Sequence, residues 1–396
     1  MGGSKNKSLR VDNMEGFQVD RERGFLPLPD PLERLPSDFD QWEAIAKDLP
    51  KLLVAGKIRS VLERLPVLNS RQLTDDRQYR RAMLILSFLG HAYVWGEPET
   101  VTRIPAGLAV PWHQVSQQLG RPPVLSYASY ALDNWRRLDT KAPIELGNIV
   151  LLQNFLGGLD EEWFILVHVA IEAKAGSALC AIVEAQKAVI EGQAQELEQH
   201  LSHIAGTLEK IYETLSRMPE SCNPYIYYNR VRPYLHGWNN HPTLLDGIIY
   251  EGVEAYGGKP QKFRGETGAQ SSIVPSLDAA LGIVHKEGLL HTYLMEMRAY
   301  MPPRHRAFIE ALEQGPSIRQ CVLDHRRGRP SLRDAYNSCV RWLELFRSTH
   351  LEFAQRYIQK QSQRGPHNPV AVGTGGTPFI PYLKKHRDET AKHQIP

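Results

Sequence analysis

Cysteine is scarce in this chain, with four in 396 residues. Cys180, Cys222, Cys321 and Cys339 form no C-x-x-C pair, which weighs against a structural zinc site. So few, unpaired cysteines fit a reducing compartment, and a cytoplasmic protein is expected. Excess charge of one sign is also missing. The formal net charge is +3 with 23% charged residues, and Lys and Arg are scattered, so no nucleic-acid partner is expected. Long uninterrupted apolar runs are absent too. The most apolar stretch, Trp163 to Ala185, carries His168, Glu172, Lys174 and Glu184, too many polar groups for a membrane span. The opening MGGSKNKSLR has no apolar run and reads as no signal peptide, and Asn6 stands where a myristoylation pattern needs Ser or Thr. No G-x-S-x-G, H-E-x-x-H or G-x-G-x-x-G occurs, and GTGGT at 373–377 lacks the Gly-Lys-Ser/Thr of a phosphate loop. Hydrolase and nicotinamide chemistry are therefore poor readings. Alternating β patterns are scarce and no repeat is visible, which leaves an all-α fold class.

What is present is helical periodicity over a chain long enough for two domains. The expected division is an N-terminal arm and small helical domain over 1–145, then a large helical domain over 146–396. Prolines punctuate the first part. The pattern predicts a helix from Trp42 to Leu49 interrupted by Pro50, then helices at Ile58–Leu65 and Asp76–Val94, with Pro98, Pro105 and Pro111 as turns before a short helix at Trp112–Leu119. An amphipathic helix follows Pro122-Pro123, with Leu125, Ala128, Leu132 and Trp135 on one side. The second part reads as helices at Glu161–Glu191, Ala194–Arg217, Pro224–Leu235, Ser271–His285, Leu289–Tyr300, Pro303–Gln314 and Leu332–Gln359. A polar, Gly- and Pro-rich loop at about 361–378 is expected to be mobile, ahead of a last helix at Ile380–Arg387. GTGGT reads either as a linker or as a lid whose backbone N–H groups close on a ligand.

The stretch from Ser331 to Lys360 organises the functional reading. Leu332, Tyr336, Cys339, Leu343, Phe346, Phe353 or Ala354, and Tyr357 recur at steps of three and four on one helix face. His350 falls on that stripe, and Arg347 lies one turn before it. An imidazole on an apolar face needs a partner, either a backbone carbonyl or a metal such as haem iron. His168 occupies a similar apolar face with Phe164 and Ile171, as a satisfied core residue or as a pocket-lining acceptor. Arg232 reads as a surface side chain or a clamp for a carboxylate. Asp278 in SLDAALGI reads as a solvated carboxylate or as the partner of a cation such as Arg347.

Several stretches together resemble the indoleamine 2,3-dioxygenase family: PPVLSYASYALDNW, FRGETGAQSS followed by LDAALGI, MRAYMPPRHRAF, FRSTHLEFAQRYI and GTGGT, in that order, from about Ala82 to about Thr390. The resemblance implies an all-helical haem enzyme with a small N-terminal and a larger haem-binding domain. It opens the indole 2,3-bond of L-tryptophan with O₂ to give N-formylkynurenine. By motif it implies haem b held by His350 as the iron ligand, with Arg347 on the propionate side and Asp278 as its partner. Arg232 would hold the substrate carboxylate, Thr374 would close on the substrate, Tyr127, Phe164 and Tyr227 would line the indole pocket, and Thr267 and Gly268 would lie over the haem. His168 departs from the serine of the mammalian enzymes and is similar to the distal histidine of the related tryptophan 2,3-dioxygenases, which suits it to accept from the indole N–H. Tyr227 replaces a phenylalanine and Thr267 a serine. The implied partners are L-tryptophan or a related indole and O₂, for a chain expected to be a monomer. Two other readings stand beside this one: insertion of a single oxygen into tryptophan or an indole derivative in secondary metabolism, and a helical haem-binding protein without turnover.

Overall fold

The computed structural model of the chain describes residues 13–363 and 373–396. It is mostly helical. The first helices are α1 (Asp40–Val54), α2 (Ile58–Leu62), α3 (Asp76–Trp95) and α4 (Ala106–Leu119). Prolines stop fewer of them than their spacing predicts. Pro50 lies inside α1, where it cannot bond the carbonyl four residues back. That carbonyl, Ala46 O, accepts instead from Gln153 Nε2 at 2.9 Å, so the helix continues. Pro111 likewise lies inside α4.

The helix expected after Pro122-Pro123 is reduced to one π turn, Ala128–Leu132. Side chains from elsewhere take the backbone N–H groups a regular first turn would need. Leu125 N donates to His91 Nε2 at 2.9 Å and Tyr127 N to Gln270 Oε1 at 2.9 Å. His91 Nδ1 lies 2.7 Å from Tyr234 O, so this buried ring joins α3 to two segments of the site; burial brings its pKa down to about 3 and keeps it neutral.

The second part contains α5 (Leu159–Ile190), α6 (Ala194–Ser216), the short α7 (Pro224–Ile226), α8 (Ile273–Leu281), α9 (Leu289–Met297), α10 (Pro303–Glu313), α11 (Ile318–His325), α12 (Pro330–Ala354), the short α13 (Lys360–Ser362) and α14 (Phe379–Ala391). The sequence reading missed α11, whose eight residues bury only Ile318 and Val322 fully, with Cys321 and Leu323 half-buried against the core. Helix α5 is long and apolar enough to cross a membrane by length and composition, and 78% of its most apolar window is buried inside the protein. It packs against α6, which also packs on α12. Two-residue strands complete the fold: β1 (Arg103–Ile104), β2 (Arg136–Arg137), β3 (Ile149–Val150) and β4 (Ile249–Tyr250), with β1 parallel to β4 and β2 antiparallel to β3. The sequence boundary near residue 145 falls in the connection between β2 and β3.

Candidate active site

Helix α12 has Pro330 at its first turn, where a missing N–H costs nothing, and its stripe runs as predicted. Leu332, Tyr336, Cys339 and Leu343 are fully buried, each apolar side chain contributing about 1.5–3 kcal/mol. The stripe opens at its C-terminal end. His350 is open to a water-sized probe, although the protein around it is dense enough for burial, then the neighbouring His168, to bring its pKa down to about 4. Both observations hold if the ring lines an internal opening rather than the outer surface. Among the described residues nothing hydrogen-bonds this ring, so a neutral imidazole faces that space with its nitrogens available.

His168 on α5 is near enough to act on His350. Its Nδ1 lies 2.7 Å from Phe164 O in its own helix. That contact makes Nδ1 the donor and leaves Nε2 the unprotonated acceptor, and burial keeps the ring neutral. Around it the aromatic rings are contiguous: Phe164 at 4.8 Å and Tyr127 at 6.0 Å from His168, Tyr227 at 4.6 Å from Phe164, and Tyr357 at 5.8 Å from Tyr227. Tyr127, the α5 pair Phe164 and His168, and Tyr227, three segments far apart in sequence, thus form one wall.

Arg232 is reached through a change of pitch. Residues Tyr227–Val231 form a π turn, and the N–H of Arg232 bonds Tyr227 O five residues back. In an α-helix residues five apart diverge by about 140°; the wider turn instead sets Arg232 over Tyr227. The guanidinium is fully buried, lies 5.4 Å from the Tyr228 ring centre and perturbs the Tyr227 phenol.

Backbone bonds sew three distant segments together beside it. Glu266 N donates to Leu235 O at 3.0 Å, and Trp238 N to Phe263 O at 2.9 Å. The approach leaves no room for side chains: a Cβ on Gly265 would stand 2.2 Å from Gly237 N and from Leu235 O. Thr374 Oγ1 then donates to Glu266 O at 2.6 Å and Arg264 Nη1 to Gly375 O at 2.6 Å, which seats GTGGT on this pair. Residues 364–372 of the expected mobile loop lie outside the described residues. Thr267 caps the short 3₁₀ turn Gly268–Gln270, and Gly268 is exposed, with nothing within 4 Å of where a Cβ would be.

One turn before His350 on α12, Arg347 Nη2 lies 2.6 Å from Asp278 Oδ2 on α8, and Arg347 Nη1 also donates to Thr390 Oγ1. Burial pushes the Asp278 carboxyl up, but Arg347, His285 and His386 outweigh it and hold it well below the usual carboxylate range.

Sequence reasoning missed two buried carboxyls of the aromatic wall. Glu172 is fully buried, accepts from Ser271 Oγ at 2.8 Å, and is raised by burial to about 7. Glu266, 5% exposed, is raised to about 8 by burial alone, and its charge would act on Tyr127, Tyr130 and Tyr227. Only its place in FRGETGAQSS, directly before Thr267 and Gly268, could have drawn attention to it.

This arrangement fits a haem. His350 offers a neutral imidazole with no hydrogen-bond partner among the described residues, and Arg347 has a buried Nε–H without an acceptor among them, where a propionate oxygen could bond. An all-helical frame that sets two neutral histidines beside a continuous aromatic wall points to the class of helical proteins that bind a planar ligand. The comparisons narrow this class. The sequence matches the family described as Indoleamine 2,3-dioxygenase over residues 13–393. It is 39% identical to indoleamine 2,3-dioxygenase 1 of Rattus norvegicus, covering 96% of this chain and 95% of that protein. It is 35% identical to indoleamine 2,3-dioxygenase 2 of Homo sapiens, covering 96% and 94%. It is also 35% identical to the indoleamine 2,3-dioxygenase of Saccharomyces cerevisiae, covering 98% and 94%. The chain belongs to the indoleamine 2,3-dioxygenase family and is a dioxygenase-type oxidoreductase.

Proposed function

We propose that the chain is a haem b enzyme that opens the indole 2,3-bond of L-tryptophan with O₂, both oxygen atoms entering N-formylkynurenine. The observation that carries this reading is the pair His350 and His168, both neutral, with His168 near enough to act on His350. His350 would hold the haem iron and Arg347 a propionate, Asp278 keeping the guanidinium in place. When bound, reduced haem supplies the O₂-binding metal; the protein supplies position and a dry site.

The substrate carboxylate pairs with Arg232, and the indole lies against Tyr127, Phe164 and Tyr227. His168 accepts the indole N–H through Nε2, its tautomer fixed by Phe164 O. That acceptor orients the ring and discriminates against an N-methylated indole, which has no hydrogen to offer. Thr374, tied to Glu266, closes the pocket beside Thr267 and Gly268. The protein is read as a cytoplasmic monomer.

The test is spectroscopic and chemical. Haem-loaded protein, reduced without air and then given L-tryptophan and O₂, is expected to form a product two oxygens heavier than tryptophan. A product one oxygen heavier identifies a monooxygenase, and haem uptake without product leaves a binding protein. His350→Ala is expected to lose the Soret band of ligated haem while keeping its helical circular dichroism. Arg232→Ala is expected to raise KM about 10–100-fold, as for loss of a charged hydrogen bond.

A further inference from the structure

A second cluster of metal-ligand side chains lies behind Arg347. One ligand atom each from Asp278, His285 and His386 falls within 4.8 Å of the others. The side chains come from α8, from the connection after it and from α14, so no sequence spacing announces them. His285 Nε2 is 3.2 Å from Asp278 Oδ2, and His386 Nε2 is 3.8 Å from the same oxygen, too far for a hydrogen bond. These separations place both nitrogens beside the Asp278 carboxylate, on the scale of the about 3.3 Å between donors of tetrahedral zinc with bonds of about 2.0–2.1 Å.

Two further observations favour a cation here. Asp278 Oδ1 and His386 Nε2 are both buried and have no hydrogen-bond partner among the described residues. An orphaned carboxylate oxygen beside an orphaned imidazole nitrogen is costly in a dry site, and one cation satisfies both. Next, His285 Nδ1 lies 2.9 Å from Glu389 Oε2, the carboxylate–imidazole relay that orients a metal-bound histidine and strengthens it as a donor.

We propose that Asp278, His285 and His386 form a zinc site, with Glu389 orienting His285. The ion binds Asp278 through Oδ1 while Oδ2 keeps Arg347, so the ion pair described above is retained. The fourth position is left to water. Facing the ion are Arg347 from α12, Lys385, His386 and Glu389 from α14, and Asp278 and His285; the two cations are met by the two carboxylates. Such an ion pins α14 to the segments that position Arg347. The scarcity of cysteine weighed against a structural zinc site, but this donor set contains none.

The experiment uses the full chain loaded with haem, so that His350 and His168 do not compete for metal. The protein is stripped with chelator, given Zn²⁺, desalted and analysed for metal and for thermal unfolding. One equivalent of zinc per chain and a raised Tm are expected for wild type. His386→Leu is expected to retain no zinc and to gain no Tm from it. Glu389→Gln is expected to weaken zinc affinity about 10–100-fold while binding one equivalent at saturation. If His386→Leu unfolds, His285→Gln replaces it with the same expectation. No retained zinc in wild type, or equal affinity in wild type and both histidine variants, overturns the proposal.

Discussion

Arg347 and Asp278 are held 2.6 Å apart, Nη2 to Oδ2, and both are buried. This pair joins α12, the helix of His350, to α8. Asp278→Asn leaves Arg347 charged with no carboxylate partner in a dry site. A loss of about 3–5 kcal/mol is expected in urea unfolding of the haem-free protein. A loss under 1 kcal/mol would show that the guanidinium finds water instead.

Glu266 gives a pH dependence of definite sign. Its carboxyl titrates at about 8 in the fold against an ordinary value of 4.5. The folded protein holds this proton longer than the unfolded chain does. The stabilisation is therefore complete below pH 4.5 and is lost as pH rises through 8. Between those limits the group contributes a slope of up to about 1.4 kcal/mol per pH unit. Glu266→Gln is expected to flatten the fall of Tm between pH 5 and 8; an unchanged profile rejects the assignment.

Gly265→Ala forces a methyl group against backbone, 2.2 Å from Leu235 O and from Gly237 N. Neither neighbour is a flexible side chain. A loss of about 1–3 kcal/mol is expected in stability, together with weaker binding of L-tryptophan in a calorimetric titration, because Leu235 follows Arg232 and Glu266 carries Thr374. Full affinity in a destabilised variant would separate this packing from the pocket.

Gln153 offers a test remote from the site. Gln153→Ala withdraws the donor that replaces the missing N–H of Pro50. An orphaned Ala46 carbonyl costs about 1–3 kcal/mol, read by denaturant unfolding. Pro50→Ala in the same background is expected to restore part of that loss, since the helix can then bond its own carbonyl.

Long helices were legible because their stripes repeat many times: Glu161–Glu191 and Ala194–Arg217 match α5 and α6 within two residues. Short or interrupted ones were not. Pro50 and Pro111 carry a local stop signal that tertiary contacts override, and the segment after Pro122-Pro123 carries a helical pattern whose donors go to His91 and Gln270. For the site, the stripe of α12 pointed to His350 and Arg347 from the residues alone. Periodicity put Phe164 on the face of His168, and GTGGT read as a linker or a lid, but the pocket roles of Tyr127, Phe164, Tyr227, Thr267, Gly268 and Thr374 came only through the family resemblance, because contacts between distant segments set their proximity. Glu266, His285 and His386 escaped both routes; their setting is made by three-dimensional burial, which periodicity does not encode.

The π turn at Tyr227–Val231 makes winding, more than residue identity, what aims the arginine. If these residues rewound as ordinary α-helix with none removed, Arg232 would turn to about 140° from Tyr227 around the axis. Every side chain of the aromatic wall could survive that rewinding, and the arginine would still face the wrong way. Removing one residue together with the wide turn leaves four steps, about 400°, and brings the arginine back to the same face. Over these five positions, then, length and pitch have to change together.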